Sequence, residues 1–186
     1  MHSAPGYELR PTSDRLRETL FNVLTAGNSA ALDGTIWIDL YAGTGAVGIE
    51  AISRGCGTVY FVDATAHAVD LIRRNLRSLA VEAGFEVMKQ DAGRGLQALD
   101  LRGVATDFVF LDPPYSMEQE YRDTLDALSH STVMKTETIV IAEHFKKFDP
   151  GETFGPLRRY RRLEQGDAAL SFYRMENSVG ENHDRE

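Results

Sequence analysis

"DLYAGTGAVG", residues 39–48, is the stretch that decides the fold of this chain. It places Gly43, Gly45 and Gly48 in a G-x-G-x-x-G spacing between an apolar run and a segment with helical character. Glycines at these positions let the backbone turn tightly into the helix and approach a ligand closely. Asp63 ends the next apolar run, where a carboxylate can accept hydrogen bonds from both hydroxyls of a ribose. The stretch therefore predicts a site for a ribose-bearing cofactor.

Apolar runs that read as strands alternate with helical segments along the chain. The predicted strands cover 35–42, 58–64, 85–91, 106–112 and 136–144. This alternation favours an α/β fold with a parallel sheet covered on both faces. A hairpin over 157–176 adds two strands, at least one of them antiparallel. We therefore predict a Rossmann-like, seven-stranded, mostly parallel sheet with a C-terminal β-hairpin, which is typical of class I SAM-dependent methyltransferases more than of dinucleotide-binding folds.

Length and composition indicate one domain. The chain has 186 residues, of which 42% are hydrophobic, enough for one core and too few for two ordinary domains. We expect a single domain over residues 1–176, with a short arm over 1–11. The polar segment 177–186 is predicted to be a disordered tail.

Charge and cysteine content narrow the classes of function. A net charge of −8 and a pI of about 5.1 count against a general polyanion binder, although local basic patches can still bind RNA. The single cysteine, Cys56, excludes an internal disulfide framework and fits a reducing cytoplasm. We find neither a signal peptide nor an apolar run long enough to span a membrane, and the histidines lack metal-ligand spacing. These features predict a cytoplasmic protein without a metal site, and we expect a monomer.

The acidic residues around the glycine turn bear on which cofactor binds. A dinucleotide would place its pyrophosphate at the start of the helix, whereas S-adenosylmethionine (SAM) has no phosphate and carries a positive sulfonium. Asp39 precedes the turn, where its carboxylate could contact the ammonium group of SAM and would repel a pyrophosphate. Asp91 ends the third predicted strand and could accept a hydrogen bond from the adenine amine. The alternative is that both aspartates only cap the turns that follow them.

A second group of residues follows the fourth predicted strand, in "LDPPY" (111–115). The prolines restrict the backbone and hold Asp112 extended, so its carboxylate and the Pro113 carbonyl become two fixed acceptors. Two such acceptors match the two N–H donors of an exocyclic base amine, and Tyr115 offers a ring on which a flipped base can stack. The group therefore predicts a holder for an amine that is about to be methylated. A rigid turn without chemistry is the alternative.

Several of these motifs occur together in one known family. The stretches that carry the resemblance are "RPTSDRLRETLFNVL" (10–24), "DLYAGTGAVGIEAISRG" (39–55), "FVD" (61–63), "RRNL" (73–76) and "FLDPPY" (110–115). In this order they closely resemble the bacterial 16S ribosomal RNA guanine-N2 methyltransferase family. The resemblance implies SAM-dependent methylation of a guanine N2 amine in small-subunit rRNA, without a metal.

The resemblance also assigns residues by position. It implies a SAM site that comprises Asp39, Gly43, Gly45, Asp63 and Asp91, with Thr12 and Ser13 closing over the cofactor. It implies that Asp112, Pro113 and Tyr115 hold the base, while Asn75 has a local structural role. The chain departs from the family where Asp63 replaces a more frequent glutamate. It departs again where "MHSAPGYEL" (1–9) stands in place of a basic, glycine-rich hairpin that is expected to grip RNA.

Positive charge concentrates near the two ends of the chain. We predict a basic surface for 16S rRNA or the small ribosomal subunit at Arg10, Arg15, Arg158, Arg159, Arg161 and Arg162. The alternative is that the arginines of "RRYRR" protect an edge strand from aggregation.

Three other functions stay open at this point. D-P-P-Y also suits the N6 amine of adenine in DNA or RNA. The literal G-x-G-x-x-G with Asp63 also fits an NAD-dependent oxidoreductase. A module that binds SAM without turning it over is the third.

Overall fold

The structure, a computed structural model, describes residues 14–176. The predicted arm and tail, and the candidate residues Arg10, Thr12 and Ser13, lie outside this range. No helix among the described residues is long and apolar enough to cross a membrane. Within the same range, no group of three or more His, Cys, Asp or Glu side chains is arranged to hold a metal ion.

Five helices and eight strands make up the described part of the chain. The helices are α1 (Asp14–Leu24), α2 (Ala46–Ser53), α3 (Ala66–Ser78), α4 (Ala92–Leu101) and α5 (Glu118–His130). The strands are β1 (Ile36–Leu40), β2 (Thr58–Asp63), β3 (Phe85–Lys89), β4 (Thr106–Leu111), β5 (Met134–Phe145), β6 (Thr153–Phe154), β7 (Leu157–Gln165) and β8 (Ala168–Met175).

All eight strands form one sheet in the order β3-β2-β1-β4-β5-β8-β7-β6. Strands β1 to β5 are parallel, β8 runs antiparallel to β5, and β7 closes the hairpin with β8. The predicted Rossmann-like architecture is confirmed. The structure has one strand more than the predicted seven, the two-residue β6. Such a short strand has no periodic pattern from which it could be predicted. The strand order reverses between β1 and β4, which is where open α/β sheets bind their ligands.

The helices bury both faces of the sheet. On one face α1, α2 and α3 pack over a cluster that includes Trp37, whose ring stacks between Phe21 and Phe108 at centroid distances of 5.6 and 5.2 Å. On the other face α4 and α5 pack over a second cluster that includes Val109 and Tyr121. Because both faces are apolar, the polar side chains of the inner strands collect at the strand ends.

Candidate active site

The candidate residues come together because β1, β2 and β4 end at the same level, beside a residue of the longer strand β5. In the pairing register Leu40 lies opposite both Val62 and Leu111, and Leu111 lies opposite Ala142. The next residues along these strands are Asp63, Tyr41, Asp112 and Glu143. Neighbouring strands lie about 4.8 Å apart, so these four residues form a row at the carboxyl edge of the sheet. The glycine turn and the D-P-P-Y loop therefore start side by side.

The glycine turn is fixed by bonds from both sides. Gly43 and Gly45 have φ values of 55° and 77°, in the left-handed region that favours glycine. The Gly43 N–H donates to Asp63 Oδ2 at 3.0 Å. On the helix side Asn75 Nδ2 donates to the carbonyl of Thr44 at 2.8 Å, which fits the structural role predicted for Asn75. Side chains of β2 and α3 therefore fix the backbone of the turn.

Asp39 lies beneath this turn and is almost completely buried. Its side chain is 2% exposed, and Oδ2 accepts the Gly48 N–H at 3.0 Å. Burial raises the pKa of the Asp39 carboxyl to about 8, and the negative charge of Asp63 acts in the same direction. The group therefore keeps its proton near neutral pH and ionises more readily when a positive charge approaches.

Asp63 and Asp91 both bond to the backbone. Asp63 Oδ1 accepts from the amide and the hydroxyl of Thr65, each at 2.9 Å. Asp91 caps α4, since Oδ1 accepts the Arg94 N–H at 2.9 Å. A carboxylate offers about four acceptor positions, so these bonds leave capacity for a ligand. The capping contact that was the alternative for Asp91 is therefore present, and the ligand contacts of both residues stay predictions.

Asp91 also lines a cavity of about 260 Å³ between α4 and α5. Tyr41, Glu120 and Asp123 are among the other lining residues, and none of the described residues that line it is basic. An acidic cavity beside the glycine turn is poorly suited to a phosphate and well suited to an amine or a cation.

Tyr41 is a site residue that the sequence did not reveal. It has a φ of 60°, which is uncommon for a residue with a side chain. Its hydroxyl donates to Glu120 Oε2 at 2.8 Å and lies 2.8 Å from Thr124 Oγ1, both on α5. Burial raises the pKa of this hydroxyl, so it stays protonated. The bonds tie the glycine turn to the helix that follows the D-P-P-Y loop.

The D-P-P-Y loop is anchored by a second residue that the sequence did not reveal, Tyr121. Its side chain is fully buried, and its hydroxyl lies 2.9 Å from the carbonyls of both Pro113 and Glu143. Burial and the nearby charge of Asp112 raise its pKa, so the hydroxyl keeps its single proton. It can donate that proton to only one carbonyl at a time. The Pro113 carbonyl is therefore fixed in place while retaining capacity for a second donor.

Aromatic rings stand beside this loop. The Tyr115 ring lies 5.9 Å from that of Phe145, at the end of β5, with the planes tilted by 43°. The neighbouring Glu143 is 3% exposed. "AEH" at the end of an apolar run was the available signal for Glu143, since polar residues at strand ends of such sheets face the ligand. Asp112 and Glu143 thus lie in the same row, and the rings of Tyr115 and Phe145 lie beyond it.

The chain is similar in sequence and in fold to known proteins. The family model described as "Conserved hypothetical protein 95" matches residues 1–174. The chain belongs to this family. The "Putative rRNA methyltransferase YlbH" of Bacillus subtilis is 32% identical over 174 residues, which is 94% of this chain and 92% of that protein. The "Ribosomal RNA small subunit methyltransferase D" of Escherichia coli is 29% identical over 140 residues, or 75% of this chain and 65% of that protein.

The fold is also similar to that of solved structures. The "Putative methyltransferase yhhF" of Escherichia coli superposes with a TM-score of 0.73 at 26% identity, covering 92% of this chain and 90% of that chain. The resemblance to a methyltransferase family stated from the motifs is confirmed, while the guanine-N2 specificity that it implies stays a prediction.

The predicted basic surface is less uniform than the sequence suggested. Arg159 is bound by Asp149 at 2.7 Å and Glu152 at 3.1 Å, and its side chain is only 9% exposed. Arg158 pairs with Glu176 at 2.5 Å, and Arg162 with Glu164 at 3.2 Å. Arg161 and Arg15 are exposed. A contact between any of these residues and RNA stays a prediction.

Proposed function

We propose that this protein transfers a methyl group from SAM to the exocyclic N2 amine of a guanine in small-subunit ribosomal RNA. The observation that carries the proposal is the common level at which β1 and β4 end, because it sets the glycine turn directly beside Asp112 and Pro113. The names of the Bacillus and Escherichia relatives support ribosomal RNA as the substrate.

The residues around the glycine turn fit SAM better than a dinucleotide. Asp39 is a buried acid that a positively charged partner would help to ionise, and Asp63 and Asp91 add acceptors at the ends of β2 and β3. We assign Asp39 to the ammonium group, Asp63 to the ribose and Asp91 to the adenine amine. Gly43 and Gly45 let the backbone approach the ligand. When bound, SAM supplies a methyl group activated by its positive sulfur.

The D-P-P-Y loop performs the positioning. The Asp112 carboxylate and the Pro113 carbonyl accept the two N–H bonds of the amine and turn its lone pair towards the methyl donor. Tyr121 then donates its proton to Glu143 instead of Pro113, so no buried carbonyl loses its partner. Tyr115 stacks on the base. Alignment supplies most of the rate enhancement, and after transfer Asp112 accepts the proton that the amine loses.

The same two acceptors would also hold the N6 amine of adenine, so the choice of base needs a direct test. We would incubate the protein with methyl-labelled SAM and either 16S rRNA or duplex DNA, digest both to nucleosides and separate the products. Label in N2-methylguanosine from the RNA supports the proposal. Label in N6-methyladenosine from the RNA, or in N6-methyl-2′-deoxyadenosine from the DNA, would show that adenine is the target base and would leave the cofactor site as assigned.

We further propose that residues 1–176 form one methyltransferase domain that acts as a monomer. If the substrate is rRNA, the protein acts in the cytoplasm.

A further inference from the structure

A β-bulge changes which side chains of β7 share a face. Arg159 pairs with Tyr173 and Arg161 with Phe172, so Tyr160 is the extra residue in the ladder. The Tyr160 ring lies 6.2 Å from the Phe172 ring, and the Arg161 guanidinium lies 6.0 Å from the centroid of that same ring. Without the bulge, strict alternation would put Tyr160 and Arg161 on opposite faces. The bulge therefore sets an aromatic ring and an arginine side by side.

Arginines of the facing strand extend this group. Arg174 of β8 lies 4.5 Å above the Tyr160 ring and directly opposite Arg158 in the ladder. Like charges at directly opposite positions destabilise a sheet. Glu176 relieves one of the two charges by pairing with Arg158. Among residues 14–176, neither Arg161 nor Arg174 has a carboxylate within ion-pairing distance.

These side chains form what we call the Tyr160 patch, which comprises Tyr160, Arg161, Arg174 and Arg158. The tyrosine is 47% exposed, which is unusual for a large ring on a sheet that is otherwise well covered. The ion-paired side chains of Arg158, Arg159 and Arg162 already place charged groups along β7. Protection from aggregation therefore does not explain why two further arginines flank an exposed ring.

The chemistry of the patch matches a single nucleic-acid strand. An exposed ring stacks on a base of any sequence, and guanidinium groups bind phosphates on either side. Excess positive charge on a protein with a net charge of −8 marks a local anion-binding surface. We propose that the Tyr160 patch binds a single-stranded segment of the rRNA substrate next to the target nucleotide, an inference that rests on the function proposed above.

The position of the patch supports this assignment. Three strand spacings separate β7 from β4, which is about 14 Å. In the pairing register Arg161 lies opposite Phe172, Phe172 opposite Ile141, and Ile141 opposite Phe110, which is two residues before Asp112. The patch therefore lies roughly 15 Å from Asp112, within reach of nucleotides that flank a flipped base.

The experiment measures the affinity of a fluorescent 16S rRNA transcript as a function of salt concentration. One variant, Arg161→Gln/Arg174→Gln, removes two charges from the patch, and a second, Tyr160→Leu, removes the ring. The matched control, Arg73→Gln/Arg77→Gln, removes two exposed charges from α3 at the opposite end of the sheet. SAM affinity and thermal unfolding are measured for all four proteins, so that a folding defect is recognised.

We expect the double patch variant to lower the slope of log affinity against log salt by about 1.4, since each arginine contact with a single strand contributes about 0.7. Tyr160→Leu should weaken binding on the order of tenfold with little change of slope. The control should match the wild type. If the patch variants bind rRNA with the affinity and salt slope of the wild type, and the wild type methylates rRNA, the patch is not the contact surface and the proposed function stands. If the wild type neither binds nor methylates rRNA, both proposals are wrong.

Discussion

Asp39→Asn should stabilise the protein in alkaline solution. Burial moves the pKa of Asp39 from 3.8 to about 8, so the folded protein keeps a proton that the unfolded chain has already lost. The stabilising effect of this proton is complete below about pH 4 and is lost as the pH rises to about 8. An asparagine carries no charge at any pH, and its carbonyl oxygen can still accept the Gly48 N–H.

The magnitude follows from the shift. Four units at 1.36 kcal/mol each give an upper limit of about 5 to 6 kcal/mol for the cost of ionising Asp39 in the folded state. Relaxation and water entry reduce such penalties, so we expect the variant to be about 2 to 4 kcal/mol more stable than the wild type at pH 9. The assay is urea denaturation at pH 5 and pH 9. If the difference in unfolding free energy between the variant and the wild type is the same at pH 5 and pH 9, Asp39 is not desolvated in the way that the structure indicates.

The same substitution should weaken SAM binding if Asp39 contacts the ammonium group. Removing one partner of a buried charge pair costs about 2 kcal/mol or more, which corresponds to roughly 30-fold or greater loss of affinity. Binding at pH 6.5 should release about one proton from the wild type, since Asp39 must ionise, and none from the variant. Calorimetry in two buffers of different ionisation enthalpy measures this release. If the variant and the wild type bind SAM with the same affinity and release the same number of protons, Asp39 only caps the turn and does not contact SAM.

Three further substitutions test other parts of the site. Asp112→Ala should nearly abolish methyl transfer while calorimetry finds SAM affinity largely unchanged; equal loss of both would place this residue in the cofactor site or the folding core. Tyr121→Phe should cost about 1 to 3 kcal/mol in unfolding free energy and slow transfer more than it weakens SAM binding, because the Pro113 carbonyl loses its anchor. Gly48→Ala should destabilise by about 1 to 3 kcal/mol in urea denaturation, because the new Cβ would lie 2.3 Å from a ring carbon of Phe61. Unchanged stability would show that α2 can move away from the sheet at little cost.

Much of the fold was predictable because its signals are local. The strands of the sheet interior are apolar runs bounded by turns, and each predicted strand overlaps the observed one closely. Gly43 and Gly45 could be placed at a turn because only glycine adopts positive φ at low cost. Asp63, Asp91 and Asp112 follow strands, and parallel strands bring their carboxyl ends to one edge.

The remaining features depend on contacts between residues distant in sequence. Tyr121 lies on the apolar face of α5 and resembles an ordinary core residue in the sequence, so its bonds to the carbonyls of Pro113 and Glu143 could not be predicted. Tyr41 combines a positive φ with hydroxyl contacts to Glu120 and Thr124, about 80 residues further along the chain. The bulge at Tyr160 breaks the alternation from which the faces of β7 would be read. Which arginines form ion pairs depends on acids two to eighteen residues away, and a run of "RRYRR" cannot reveal that.

The most direct test of the central claim uses small ribosomal subunits from a strain that lacks this methylation. They are incubated with the protein and methyl-labelled SAM, and the labelled nucleoside is identified and counted per subunit, with Asp112→Ala as the inactive control. We predict about one methyl group per subunit, all of it in N2-methylguanosine, and none with the variant. Label in another nucleoside, or equal labelling by the variant, would contradict the role assigned to the D-P-P-Y loop.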